Sequence, residues 1–94
     1  MLTIGDAITY LSENAASRFK YAEVYAAFGR IGSDEAEALE APTREHAAYL
    51  AGLAQAVITL DTAARAVVTA ESRHYKRKAM RHLADVLGVE MKRP

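Results

Sequence analysis

The chain has no cysteine, which excludes both a disulfide framework and a thiolate metal site and leaves the cytosol as the default compartment. It has two prolines and five glycines, and β-branched residues are few outside valine and isoleucine. No segment alternates apolar and polar residues, so a sheet protein is not expected. No Lys or Arg precedes Arg18, so the basic start of a secretory signal is missing. The longest uncharged stretch, His46 to Leu60, is 15 residues, short of the ~20 that span a bilayer, and a soluble, cytoplasmic chain without membrane contact is expected. There is no glycine-rich phosphate loop, no nucleophile paired with a histidine, and too few convergent carboxylates for acid–base hydrolysis. No internal repeat or low-complexity segment occurs.

What the sequence does hold is alanine, 20 residues of 94, against 23 for Leu, Ile, Val, Met and Phe together. Alanine favours helix, but a buried alanine contributes far less than the ~1.5 to 3 kcal/mol of a buried leucine or phenylalanine. One helical domain over residues 1–94 follows, thinly cored as a monomer and completed by assembly into a homo-oligomer.

The organising stretch runs from Thr43 to Ala70. Leu50, Leu53, Val57, Leu60, Ala64 and Val67 follow at spacings of three and four, the stripe of a helix packed on other helices. Ala47, Ala51, Ala54 and Ile58 widen that stripe, so this rod is expected to be covered over most of its circumference.

Before the rod, Thr3 and Asp6 resemble a capping box, with Leu2 placed as its hydrophobic staple. Ile4, Ile8, Leu11, Ala15, Phe19, Ala22 and Ala26 then predict a first helix running to about Phe28. Tyr10, Arg18, Tyr21, Tyr25 and Phe28 form an aromatic flank beside that stripe. Gly29, Gly32 and Ser33 signal a stop; Asp34 to Ala41 reads as a short helical turn or acidic loop, and Pro42 as the start of the rod. Two long helices joined by about ten residues form an antiparallel hairpin. Beyond the rod, Thr69 and the change to basic residues predict a bend at 70–73, with Ser72 capping a third helix to Leu87. Tyr75, Ala79, Leu83 and Val86 are its apolar stripe and Gly88 its C-cap, followed by a loose tail from Val89 to Pro94.

Net charge is zero but unevenly spread. From Arg73 onward there are seven basic residues (Arg73, Lys76, Arg77, Lys78, Arg81, Lys92 and Arg93) against Asp85 and Glu90. From Ser33 to Glu45 there are five acidic ones against Arg44. The simplest expectation is that these regions complement each other, within the fold or across a dimer. Asp61 and Arg65 have the i, i+4 spacing of an ion pair within the rod, with a contribution under ~1 kcal/mol.

Arg73, Arg77 and Arg81, with Lys76 and Met80 beside them, give the third helix a face that can follow a phosphate backbone, and Tyr75 and His82 can stack on bases. Leu83 to Val89 resembles the first helix and turn of a helix-turn-helix unit, although no recognition helix follows. Arg77 and His82 also share the Arg-x4-His spacing of the HEPN-type ribonucleases, which are dimeric helical bundles. That resemblance covers these two residues only; it implies His82 as the proton-transfer group and Arg77 as the phosphate binder, duplicated across a dimer. The polar residue those enzymes carry after the arginine is here Lys78. Glu71 and His74 have the Glu-x-x-His spacing of diiron bundles, but the other carboxylates would have to come from Glu13 or Glu23 and a second copy. His46 reads as a hydrogen-bonded boundary residue.

The sequence therefore predicts an all-α antiparallel hairpin with a shorter third helix, and no metal or cofactor. Its expected role is that of a non-enzymatic interaction or regulatory protein that binds a macromolecular partner, in the manner of small accessory or inhibitor proteins of phages and plasmids. The candidate binding residues are Arg73, Lys76, Arg77, Arg81 and Tyr75 on the third helix and Tyr21 and Tyr25 on the first. A nucleic-acid-binding module is the first alternative, a HEPN-like ribonuclease the second.

Overall fold

The computed structural model describes residues 2–91. They form three helices, α1 (Ile4–Ile31), α2 (Asp34–Thr69) and α3 (Arg73–Leu87), with no strand among the described residues. The chain divides into two compact units, Met1–Gln55 and Ala56–Pro94. The boundary falls inside α2, not in a linker.

Helix α1 starts where the capping box places it. The Asp6 N–H donates to Thr3 Oγ1 at 3.1 Å, and the Thr3 N–H donates to the Asp6 carboxylate at 2.9 Å. The staple is not made: Leu2 is 89% exposed, because the residue it would have to meet, Ala7, offers only a methyl group. The helix passes through Gly29 and ends at Gly32, whose φ of 111° is a left-handed cap that side chains disfavour. The Gly32 N–H reaches the Gly29 carbonyl at 3.0 Å and the Ser33 N–H the Phe28 carbonyl at 3.2 Å.

The joint to α2 differs from the expected ten-residue link. It consists of Gly32 and Ser33, and the acidic segment and Pro42 both lie inside α2. Ser33 caps the helix by accepting the Ala36 N–H at 3.2 Å, and Asp34, Glu35 and Glu37 occupy the positive end of the helix dipole. Pro42 cannot donate to the Ala38 carbonyl and costs the helix about 3 kcal/mol. Three features offset that cost: the cap, the burial of Ala36, and an ion pair that spans the proline, Arg44 to Glu40 at 2.8 Å.

Within the first unit the buried side chains are Ala15, Ala22, Ala36, Ala47 and Ala54. Ala15, Ala22 and Gly29 recur every seven residues on α1, as do Ala47 and Ala54 on α2. A seam of small residues lets two helix backbones approach closely, and at the turn a Cβ on Gly29 would lie 2.8 Å from Glu37 Cγ. Larger apolar residues line the seam without being enclosed: Ile8, Leu11, Phe19, Tyr25 and Leu50 are half-buried. Among the described residues no large side chain is fully buried.

The second unit contains the end of α2 and α3. The helix break falls as expected: α2 ends at Thr69, whose hydroxyl donates to the Arg65 carbonyl at 2.8 Å, and the Tyr75 N–H donates to Ser72 Oγ at 3.2 Å. The sequence from 43 to 87 is therefore two helices. Gly88, at φ 71°, closes α3 with left-handed geometry. Ala63 and Ala84 are buried, and Ala79, Leu83 and Val86 are half-buried. Asp61 accepts Arg65 Nε through both carboxylate oxygens, at 2.9 and 3.0 Å. Arg65 is exposed and Asp61 half-buried.

The rod is not covered as expected. Among residues 43–70 only Ala47, Ala54 and Ala63 are buried, while Ala51, Leu53, Ala56 and Val68 are exposed. Leu50, Val57, Ile58, Leu60, Ala64 and Val67 of its stripe are half-buried. By length and composition α2 is also the one helix among the described residues that is long and apolar enough to cross a membrane, and little of that apolar window is buried.

Candidate anion-binding face on helix α3

The basic residues of α3 follow from a local switch in composition. Ser72 fixes the first turn, and Arg73, Lys76, Arg77 and Met80 then fall at i, i+3, i+4 and i+7, one side of a 3.6-residue helix. With Met91 from the segment after Gly88, these residues line a shallow cavity of about 240 Å³. Arg73, Lys76, Arg77, Lys78 and Arg81 are all exposed. The ion pairs of the described residues are Arg44 with Glu40 and Arg65 with Asp61, so none of these five cations is paired there. The acidic residues Asp34, Glu35, Glu37 and Glu45 are likewise outside any ion pair. Complementation of the two charged regions within the fold is thus not realised as direct pairing among the described residues.

Arginine and lysine stems form the cavity wall while their charged ends reach water. Such a surface combines apolar contact from the two methionines with three cations at its rim. It is smaller than the ~300 Å³ at which ordinary small-molecule pockets begin. A protruding group, such as a carboxylate side chain or a phosphate on a chain, fits it better than an enclosed substrate.

The structure brings together part of the expected set. Arg73, Lys76 and Arg77 share the cavity. Arg81 lies on the next turn and does not line it. Tyr75 is 63% exposed, but two residues along a helix turn it about 160° away from Arg73 and Arg77, and its ring meets His74 edge-on, with centroids 5.5 Å apart. Stacking by Tyr75 and His82 thus belongs to a different side of the helix from the cation face. Arg77 and His82, five residues apart, point about 140° from each other, so one chain does not join them in one site. Glu71 lies in the link before α3, and no group of three or more metal-ligating side chains occurs among the described residues. Lys92 and Arg93, and the tail's last residue Pro94, lie outside the described residues.

The aromatic flank of α1 divides in a similar way. Tyr10, Tyr21 and Phe28 are exposed, at 67%, 52% and 55%, whereas Tyr25 turns toward the seam and is half-buried. Val24 and Ile31 join the exposed set. The sequence reading missed these two and Met91. The signal for Val24 and Ile31 was their seven-residue spacing; for Met91 there was none, since it joins the site only through the chain reversal after Gly88.

The chain matches no protein-family profile, no curated protein and no solved structure. Function is therefore argued from this geometry alone.

Proposed function

We propose that this is a non-enzymatic interaction protein that uses the Arg73, Lys76 and Arg77 face of α3 to hold an acidic segment of a macromolecular partner, a protein in the first reading. One observation carries it: Arg73, Lys76 and Arg77, none in an ion pair among the described residues, line one shallow cavity together with Met80 and Met91. Cations left in water cost nothing to maintain, yet their concentration on one side raises local potential and steers anionic partners. Assignment as a regulator or inhibitor follows from small size and the lack of a catalytic constellation, not from a particular residue.

The decisive experiment compares the unaltered chain with Arg73→Glu/Arg77→Glu in capture from a native lysate, with circular dichroism to confirm helix content. A protein retained by the first and lost by the second supports the reading. A chain that captures nothing, or that captures the same protein in both forms, overturns it.

Nucleic acid is the second reading, favoured by Arg73, Arg77 and Arg81 following one another at successive turns. It predicts that affinity for DNA or RNA falls with added salt, with a log–log slope of roughly three if three phosphates are neutralised. Charge reversal at Arg77 and Arg81 should abolish it. The HEPN-like alternative requires His82 and Arg77 from different chains; ribonuclease activity that survived in His82→Ala would reject it.

A further inference from the structure

We propose that the acidic segment held by the α3 face is the start of α2 in a second copy of this chain, with Asp34 and Glu37 of one copy set against Arg73 and Arg77 of the other. The inference rests on the anion-binding reading of that face and names its occupant. Placement is the first argument. On α2, Asp34, Ala38, Ala41 and Glu45 share one side of the helix, about 140 to 180° round from the buried Ala36, so they point away from the seam with α1. Glu37 stands at their edge, and all five are exposed. Asp34, Glu37 and Glu45 are in no ion pair among the described residues.

Complementarity is the second argument. Arg73, Lys76 and Arg77 are likewise exposed and outside those ion pairs. The first turn of α3 holds no acidic residue, so the positive end of its dipole adds to these cations instead of offsetting them. Asp34 and Glu37 are about 4.5 Å apart along the axis of α2, and Arg73 and Arg77 about 6 Å apart along that of α3. Ala38 and Ala41 leave a low surface beside the carboxylates, which suits the side chains of Met80 and Met91 in the basic cavity. The whole chain has no net charge, so its copies approach without the general repulsion of a strongly charged protein. Exposed ion pairs contribute little each, so the contact is weak, reversible and sensitive to salt. In capture from a native lysate, the protein retained is then an untagged copy of this chain.

The test is sedimentation of the full chain, with circular dichroism on every variant. The unaltered chain should self-associate at ~20 mM salt, and at least about tenfold more weakly at ~0.5 M. Asp34→Lys/Glu37→Lys and Arg73→Glu/Arg77→Glu should each weaken association about a hundredfold. A chain with all four substitutions, in which opposite charges again face each other, should recover it. If lysines at the start of α2 cost helix, Asp34→Asn/Glu37→Gln should still weaken association about fivefold. Glu13→Lys/Glu23→Lys changes the net charge as much but lies on α1, and should alter association by less than about threefold. An unaltered chain that is monomeric at low salt, including one that binds single-stranded DNA instead, overturns the inference. If Arg73→Glu/Arg77→Glu then still abolishes capture of another protein, the α3 reading stands without it. Association indifferent to Arg73→Glu/Arg77→Glu removes the α3 face from both. Equal loss in Glu13→Lys/Glu23→Lys, or no recovery in a helical chain with all four substitutions, overturns the inference as well.

Discussion

The first unit, Met1–Gln55, buries five alanines, and the second, Ala56–Pro94, buries two. Both are held by the same device, small residues that bring helix backbones together, but to different extents. The first has a two-residue joint, a capping box, a left-handed glycine cap and a seam repeating every seven residues. The second has a helix of 15 residues, near the length at which an isolated helix is marginal in water, and it relies on Ser72, Gly88 and a few half-buried contacts. The face that carries the cations therefore stands on the less anchored unit. Surfaces that adapt to partners are drawn from the less stable parts of a fold, and here the division follows from how many alanines each unit can set against its neighbour.

Several substitutions bear on this contrast. Pro42→Ala should strengthen the first unit most, by about 2 to 3 kcal/mol, since it returns a hydrogen bond and removes a ring clash inside α2. Calorimetry should show a higher unfolding temperature, and no gain would mean that α2 does not run through residue 42. Ala47→Leu and Ala63→Leu should each cost about 1 to 3 kcal/mol, by forcing apart helices packed on a methyl group. Hydrogen exchange should show the loss of protection confined to the first unit for Ala47→Leu and to the second for Ala63→Leu; a uniform loss would join the two units into one cooperative block.

Removing the cap of α3 by Ser72→Ala should cost about 1 kcal/mol, and amide exchange at Arg73 to Lys76 should rise before any change in α1. Gly52→Ala, where an added Cβ meets nothing within 4 Å, should stabilise by about 0.5 to 1 kcal/mol through helix propensity alone. The smallest effect belongs to Asp6. Its carboxylate is held below the usual range, first by the Thr3 backbone N–H and then by the Thr3 side chain. A lowered pKa in the folded chain means that the contribution is present above the unfolded value of about 4 and is lost as the pH falls through the folded one. The first turn of α1 should fray in acid, as read by NMR shifts of Thr3 to Ala7, and Asp6→Asn should remove that dependence.

Much of this was legible in the residues. Thr3 with Asp6, Ser72 and Gly88 marked helix ends because capping depends on side chains within four positions of one another. The same locality misplaced the joint. Gly29, Gly32 and Pro42 are each helix breakers by themselves, and the sequence reading stopped α1 early and started α2 late. In the structure Gly29 sits where α2 comes too near for a Cβ, and Pro42 is carried by Ser33, Ala36 and the Glu40–Arg44 pair. At the α3 face, Arg73, Lys76 and Arg77 could be grouped from their spacing, whereas the separation of Tyr75 and the arrival of Met91 could not be read from it.

By itself the sequence determined that the chain is helical, where α1 begins, where α3 begins and ends, and that one helix face is basic, because these depend on propensity, capping and a 3.6-residue period. Only the tertiary structure decided how far each stripe is covered. The stripe itself follows from the period, but enclosure depends on neighbours: the methyl groups of Ala15, Ala22, Ala47, Ala54, Ala63 and Ala84 are enclosed, while larger residues of the same stripes, such as Ile8, Leu11, Phe19, Leu60 and Leu83, stay half-buried.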